Sequence, residues 1–228
     1  MPATRPSPPR IAAPLKLAAP GISPRFLQLL DGERLGDKRV LDLGCGSGRL
    51  TLALAGAARH VVGLDRDGRA IAEARGRAAA MGLANADFHE VDVEGEEYGR
   101  WSPDLITAHL CASDAMVERA GRALAPGSVL GMVAFHVEQW RETGRVSRFA
   151  YDQSRMEALL RAAGLAPEVI EVEREVVEFS SVEEGLAAAV GLEDRWKADG
   201  RWFRYIAFLE AGGRTLTRSH LIVRARRA

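Results

Sequence analysis

Residues 40–54 read VLDLGCGSGRLTLAL, and this stretch decides the fold. Its first four residues are a short, mostly apolar run of the kind that forms a buried strand, and residues 50–58 are an apolar helix. Gly44, Gly46 and Gly48 lie between them, where glycine permits a tight turn and the close approach of a ligand to the backbone. The helix that follows offers free backbone N–H groups at its N-terminus. The stretch therefore predicts a ligand-binding turn inside an α/β fold.

Strands and helices alternate on the C-terminal side of this turn. Four further strands are predicted from short apolar runs at residues 60–64, 86–91, 104–109 and 128–135. Near-continuous apolar runs of this kind are typical of a parallel sheet that is buried on both faces. Two more strands are predicted, at residues 169–179 and 219–226.

The two ends of the chain differ from this central pattern. Residues 1–24 contain seven prolines, which predicts a flexible or extended N-terminal arm. Residues 25–228 are expected to form one domain. A helical insert is predicted near residues 181–213, before the last strand, because aromatic and aliphatic residues recur there at helical spacing.

Composition limits the classes of partner. The chain has 31 basic and 31 acidic residues and a formal net charge of zero, whereas nucleic-acid binders usually carry a basic excess, so a nucleic-acid partner is not expected. The two cysteines are not spaced as metal ligands, so no metal site is expected. With no disulfide framework indicated, we expect a reducing compartment, the cytoplasm. No apolar run approaches the roughly 20 residues of a membrane span, and no signal peptide is recognisable.

The spacing of the glycines separates two kinds of nucleotide-binding loop. A dinucleotide-binding loop reads G-x-G-x-x-G, whereas this chain has G-x-G-x-G and places Arg49 where the third glycine of that pattern would stand. With an acidic residue two positions before the first glycine, the stretch resembles the first motif of the class I S-adenosylmethionine-dependent methyltransferases. The residues of this motif that the resemblance places at the cosubstrate are Asp42, Gly44, Cys45, Gly46 and Gly48. The resemblance implies a Rossmann-like, doubly wound, mostly parallel seven-stranded sheet with helices on both faces and a final antiparallel strand.

Two further acidic positions fit the same resemblance. Asp65 ends the second predicted strand, 21 residues after Gly44, where a carboxylate can accept two hydrogen bonds from a ribose diol. The resemblance places Arg66 beside the adenine, Asp92 at the adenine amino group and Val93 on the ring. The alternatives are that Asp65 caps the next helix and that Asp92 belongs to a surface turn.

Catalytic candidates are two histidines at strand ends. His109 follows the fourth predicted strand and His136 the fifth, so both are candidate general bases on the ligand side of the sheet, and His109 also a cosubstrate contact. The alternative is that each forms a local hydrogen bond or lines a wall. The C5-pyrimidine methyltransferases carry a Pro-Cys pair at this position, but no proline precedes Cys111. Cys111 is therefore interpreted as a buried thiol rather than a nucleophile.

These observations predict an S-adenosylmethionine-dependent methyltransferase with S-adenosylmethionine as cosubstrate and a small molecule as acceptor. The alternatives left open are an RNA or protein methyltransferase and a non-catalytic nucleoside-binding protein on the same fold. Acceptor specificity is expected in the N-terminal arm, residues 137–151 and the helical insert. The oligomeric state, a homodimer included, is left open.

Overall fold

Eight strands form one sheet in this computed structural model, which describes residues 19–228. Seven of them follow the order β3-β2-β1-β4-β5-β8-β7, and β6 pairs with β5 beside that path. The strands are β1 (Arg39–Leu43), β2 (His60–Asp65), β3 (Ala86–Glu90), β4 (Leu105–His109), β5 (Val129–His136), β6 (Ala150–Tyr151), β7 (Leu165–Glu178) and β8 (Thr215–Arg227). Strands β1 to β5 run parallel, and β8 is antiparallel to both β5 and β7. The predicted fold class is confirmed, with the two-residue β6 as an addition.

Eight α-helices accompany the sheet in the described part of the chain. They are α1 (Pro24–Asp31), α2 (Arg49–Ala55), α3 (Gly68–Ala80), α4 (Asp114–Ala123), α5 (Gln153–Ala162), α6 (Val182–Ala189), α7 (Glu193–Asp199) and α8 (Arg201–Glu210). Several of these helices have an N-cap side chain that accepts a backbone N–H group of the first turn. Ser113 does so for α4 and Ser181 for α6. None of these helices is long and apolar enough to cross a membrane.

The sheet is buried on both faces, as the apolar runs predict. Successive residues of a strand point to opposite faces. Val40 accordingly belongs to a core cluster with residues of α1 and α2, whereas Leu41 belongs to a second cluster with residues of α4 and α5. This two-sided burial leaves the ends of the strands as the part of the sheet that a ligand can reach.

Part of the predicted N-terminal arm packs against the domain. Ala19 and Ile22 are buried in the same cluster as α1, and Pro24 is the first residue of that helix. Within the predicted flexible or extended arm, residues 19–24 therefore pack on the domain, because the apolar side chains of Ala19 and Ile22 contact its core. Residues 1–18, the rest of the predicted arm, lie outside the described residues.

Helices α6 to α8 follow β7 and share an aromatic core with the loop after β5. Trp196 and Tyr205 are fully buried, with ring centroids 5.5 Å apart. Trp140, from the loop after β5, packs edge-on against Trp196 at 5.2 Å. The cluster holds helices α6 to α8 against the loop that follows β5, at the same edge of the sheet as the carboxyl ends of β1 to β5.

Candidate active site

A cavity of about 740 Å³ opens at the carboxyl ends of the parallel strands. The loops after β1, β2, β3 and β4 line one side of it, and residues 145–149 together with the start of α8 line the other. The strand order reverses between β1 and β4, and open parallel sheets bind ligands at such a reversal. The cavity is large enough for a nucleoside and a second small group.

The glycine loop is tied to the end of β2. Gly44 has a φ of +65°, and a Cβ at this position would overlap the side chain of Cys111. The Cys45 N–H donates to the carbonyl oxygen of Leu64 at 3.0 Å, and the Gly46 N–H donates to Asp65 Oδ2 at 2.8 Å. A side chain at Gly44 would therefore displace the loop from the strand ends.

Asp42 is buried in the core next to this loop and does not line the cavity. Its side chain is 1% exposed and accepts hydrogen bonds from the hydroxyls of Thr51 at 2.6 Å and Thr107 at 2.9 Å. Burial raises the pKa of Asp42 to about 6, although both hydroxyls oppose that change. The structure thus departs from the expectation that Asp42 contacts the cosubstrate, because its carboxylate is occupied within the core.

Asp65 faces the cavity with both carboxylate oxygens held in place. Oδ2 accepts the Gly46 N–H, and Oδ1 accepts the Asp67 N–H at 2.9 Å. Each carboxylate oxygen can accept a second hydrogen bond, so Asp65 is positioned to receive two hydroxyl donors. Asp67, and not Asp65, caps α3 by accepting the N–H groups of Arg69 and Ala70.

Arg66, Asp92 and Val93 line the cavity beside Asp65. Val93 is 9% exposed, and its carbonyl oxygen accepts the hydroxyl of the buried Tyr98 at 2.6 Å. This bond fixes the backbone of the loop after β3. An apolar surface next to a carboxylate suits a purine ring with an exocyclic amino group.

The two candidate histidines differ in position. His109 lines the cavity at the end of β4. Burial lowers its pKa to about 4, and the charges of Arg49 and His220 add to the effect, so the imidazole is neutral at neutral pH and a weak proton acceptor. His136 does not line the cavity. Its Nδ1 lies 2.9 Å from the Ser219 hydroxyl on β8, in keeping with the alternative of a local hydrogen bond.

The turn after β4 contains a feature that the sequence did not reveal. Leu110 has a φ of +57°, a left-handed conformation that is uncommon for a leucine and is often found at functional sites. It directs Cys111 against the glycine loop. Burial raises the pKa of Cys111 to about 11, and the carboxylates of Asp65 and Asp42 reinforce the change, so the side chain is a neutral thiol.

Of the predicted cosubstrate residues, the cavity wall brings together Gly44, Asp65, Arg66, Asp92, Val93 and His109. The other predicted cosubstrate residues do not line the cavity and belong to the glycine loop or support it, namely Asp42, Cys45, Gly46 and Gly48. Among residues 19–228 no group of three or more His, Cys, Asp or Glu side chains is arranged to hold a metal ion.

The far wall of the cavity comes mostly from residues 137–151 and the helical insert, two of the segments where acceptor specificity is expected, although its arginines were not singled out from the sequence. It carries several arginines and aromatic side chains from the loop after β5 and from the helical insert, namely Arg145, Arg148, Arg195, Arg201, Phe135, Trp140 and Phe149. Acidic residues lie instead near the strand ends, at Asp65, Asp92 and Glu94. Arg66 also lies among these acidic residues, and Asp199 lies among the arginines, so the side at the strand ends has an excess of acidic groups and the other side an excess of basic groups.

A family model described as a methyltransferase domain matches residues 35–180. The chain belongs to this family. S-adenosylmethionine is the cosubstrate of this methyltransferase family, and the chain carries a domain of that family. The cavity fits the donor, because Asp65 offers two oxygens to a ribose and Gly44 leaves the loop backbone open on the cavity side.

Solved structures agree with the fold of this methyltransferase. The YcgJ protein from Bacillus subtilis is 18% identical, with a TM-score of 0.65, over 90% of this chain and 99% of that chain. The [4+2]-cyclase SpnF is 26% identical, with a TM-score of 0.61, over 88% of this chain and 79% of that chain. A sheet of this kind thus occurs in proteins with different reactions, and the fold does not fix the acceptor.

A curated relative is the 23S rRNA (uracil(1939)-C(5))-methyltransferase RlmD of Stenotrophomonas maltophilia. It is 48% identical over 61 residues, which are 27% of this chain and 14% of the relative. The chain thus matches about a seventh of the length of that enzyme. This comparison overturns the expectation of a small-molecule acceptor without a nucleic-acid partner, since the relative acts on RNA.

Proposed function

We propose that this methyltransferase transfers the methyl group of S-adenosylmethionine to a nucleotide of RNA. The observation that carries the proposal is the division of the cavity into an acidic side at the glycine loop and a side rich in arginine and aromatic residues. The curated RNA methyltransferase that shares a 61-residue stretch with the chain supports it.

The acidic side suits the methyl donor. Asp65 accepts the ribose hydroxyls, Asp92 accepts the adenine amino group, and Val93 packs on the ring. The donor is a sulfonium cation whose leaving group is a neutral thioether. Carboxylates on this side of the cavity favour that cation, while Gly44 lets it approach the backbone.

The opposite side suits a nucleotide. Phe149 lines the cavity and is 40% exposed, and Phe135 lines it as well, packed against the buried Trp140 with ring centroids 5.5 Å apart. Aromatic side chains stack on unpaired bases, and arginines bind the phosphates that accompany them. A base reaches such a pocket only after it leaves its own stack.

The chain contributes to the reaction chiefly by position. His109 is neutral and a weak base, and the Cys111 thiol is protonated at neutral pH, so neither is poised to remove a proton or to attack the acceptor in the free protein. Holding acceptor and donor in line within one cavity supplies a large part of the rate enhancement. A reducing location such as the cytoplasm belongs to the same proposal, on the basis of two free cysteines.

The test is a transfer assay with S-adenosylmethionine that carries a labelled methyl group. Unmodified ribosomal and transfer RNA made by transcription in vitro would be the acceptors, and mass spectrometry of the digested nucleosides would identify the product. The proposal expects label in RNA with the wild-type protein and none with Asp65→Ala. Label in protein after ribonuclease treatment, or binding of S-adenosylmethionine without transfer to any RNA, would refute the RNA acceptor.

A further inference from the structure

Arg201 is a buried cation on the wall of the cavity. It is the first residue of α8, and its side chain is 9% exposed. Its guanidinium carbon lies 5.5 Å from the centre of the Trp140 ring, and its Nε lies 3.2 Å from Asp199 Oδ2. That contact lacks the angle of a hydrogen bond, so the buried Nε has no hydrogen-bond partner within residues 19–228.

Two further arginines, Arg145 and Arg195, line the cavity near Arg201. Arg145 donates a hydrogen bond to the backbone carbonyl oxygen of Asp199, and Arg195 lies on α7 on the same wall of the cavity. Burial lowers the pKa of Arg201; the Asp199 carboxylate opposes the change, and the charges of Arg145 and Arg195 add to it. Only Arg201 contacts the Asp199 carboxylate, so the exposed Arg145 and Arg195 add positive charge near a buried guanidinium that has one acidic neighbour.

The support under this cluster is rigid. Trp140 has a φ of +57°, and its backbone N–H donates to the carbonyl oxygen of Thr217 at 3.0 Å. Its ring is held between Phe135 and the fully buried Trp196. A left-handed tryptophan is strained, and such strain persists where the surrounding structure fixes it. The guanidinium of Arg201 therefore rests on a platform that is already in place without a ligand.

We propose that Arg145, Arg195 and Arg201 form a preorganised phosphate-binding subsite for the methyl acceptor. The subsite rests on the proposed function and names the group by which the acceptor nucleotide is held. Like charges near the buried Arg201 repel one another, and a bound anion reduces that cost. Guanidinium groups match phosphate in shape and can donate paired hydrogen bonds to its oxygens.

The subsite explains how one cavity keeps donor and acceptor apart. The donor is a cation and lies with Asp65 and Asp92, whereas the phosphate lies with the arginines on the opposite wall. A phosphate held there places the attached nucleotide between the two walls. Either an internal phosphodiester of RNA or a terminal phosphate monoester supplies this chemistry.

The experiment is calorimetric titration of the full chain, saturated with S-adenosylhomocysteine, with uridine, uridine 5′-monophosphate and the trinucleotide UpUpU without terminal phosphates. At least one phosphate-bearing ligand should bind about tenfold or more tightly than uridine. Arg195→Gln, at an exposed position, and Arg201→Lys should each reduce this preference. Arg204→Gln is the matched control, because Arg204 is exposed on α8, the helix that carries Arg201, and does not line the cavity.

The ligands distinguish the two sources of phosphate. Preference for UpUpU supports an internal phosphodiester, and preference for the monophosphate alone supports a terminal phosphate. The absence of any preference for phosphate, or a preference that Arg195→Gln retains in full, overturns the subsite. Methyl transfer to RNA is a separate readout. If wild type and Arg195→Gln methylate RNA equally, the subsite is rejected and the proposed function is kept. If phosphate binding depends on the arginines but no RNA is methylated, the subsite is kept and the proposed function is rejected.

Discussion

Replacement of Asp65 by alanine tests the centre of the donor site. The carboxylate has two tasks in the structure, since it accepts the N–H groups of Gly46 and Asp67 and presents its remaining acceptor positions to the cavity. Asp65→Ala removes both. The expected result is weaker binding of S-adenosylmethionine by a protein that is still folded, because Asp65 lies at the end of β2 and not in the core.

The size of the effect follows from the number of bonds lost. A hydrogen bond to a charged acceptor contributes about 1.5–3 kcal/mol, and the lower end applies where the acceptor stays in contact with water. Two ribose hydroxyls then account for about 3 kcal/mol, which weakens binding by somewhat more than 100-fold. Release of the Gly46 N–H should lower the free energy of unfolding by about 1 kcal/mol as well.

The control is Asp67→Ala, two residues away. Asp67 caps α3 through the N–H groups of Arg69 and Ala70 and does not line the cavity. Loss of this cap should also lower the free energy of unfolding by about 1 kcal/mol, so the two variants have matched stability. Calorimetric titration with S-adenosylmethionine should separate them, with near wild-type affinity for Asp67→Ala only. An unchanged dissociation constant for folded Asp65→Ala would show that the ribose lies elsewhere.

Two other substitutions address the neighbouring loops. Gly44→Ala should abolish binding of S-adenosylmethionine and lower the melting temperature, because its Cβ would overlap Cys111 and the φ is positive; calorimetric titration and thermal unfolding test this, and wild-type affinity would contradict it. The pKa of His109 is about 4 in the folded protein and 6.5 as its ordinary value, so the unfolded chain takes up the proton first as the pH falls. The free energy of unfolding should therefore decrease, relative to His109→Asn, by about 2–3 kcal/mol between pH 7.5 and 4.5. Urea unfolding of both proteins measures this difference, and a difference that does not vary with pH would refute the burial of His109 as a neutral group.

The donor side of the site could be predicted from the sequence because its parts are local. The glycine loop joins one strand to the next helix, and Asp65 ends the following strand, so strand–loop–helix chemistry places them without knowledge of distant contacts. The same reasoning could not place Asp42. Its position before the loop is compatible with facing the ligand or the core, and the partners that decide this, Thr51 and Thr107, include one that is 65 residues away.

The arginine side of the cavity depends on pairings between distant parts of the chain. His136 is directed to Ser219, 83 residues later, because β8 runs antiparallel beside β5. Arg145 and Arg201 meet only because α8 packs on the loop after β5 through the aromatic cluster. No periodicity or motif in the sequence brings these residues together, and a zero net charge conceals their separation from the acidic side.

The two sides of the cavity have different structural supports. The donor side is built from the ends of parallel strands, whose positions are fixed by the buried sheet, whereas the arginine side is fixed by the packing of Trp140 against Trp196 and of Trp196 against Tyr205. Truncation of a buried aromatic residue in that cluster would loosen the insert and leave the strand ends in place. If the proposed function holds, variants of the insert should therefore weaken acceptor binding and leave the affinity for S-adenosylmethionine unchanged.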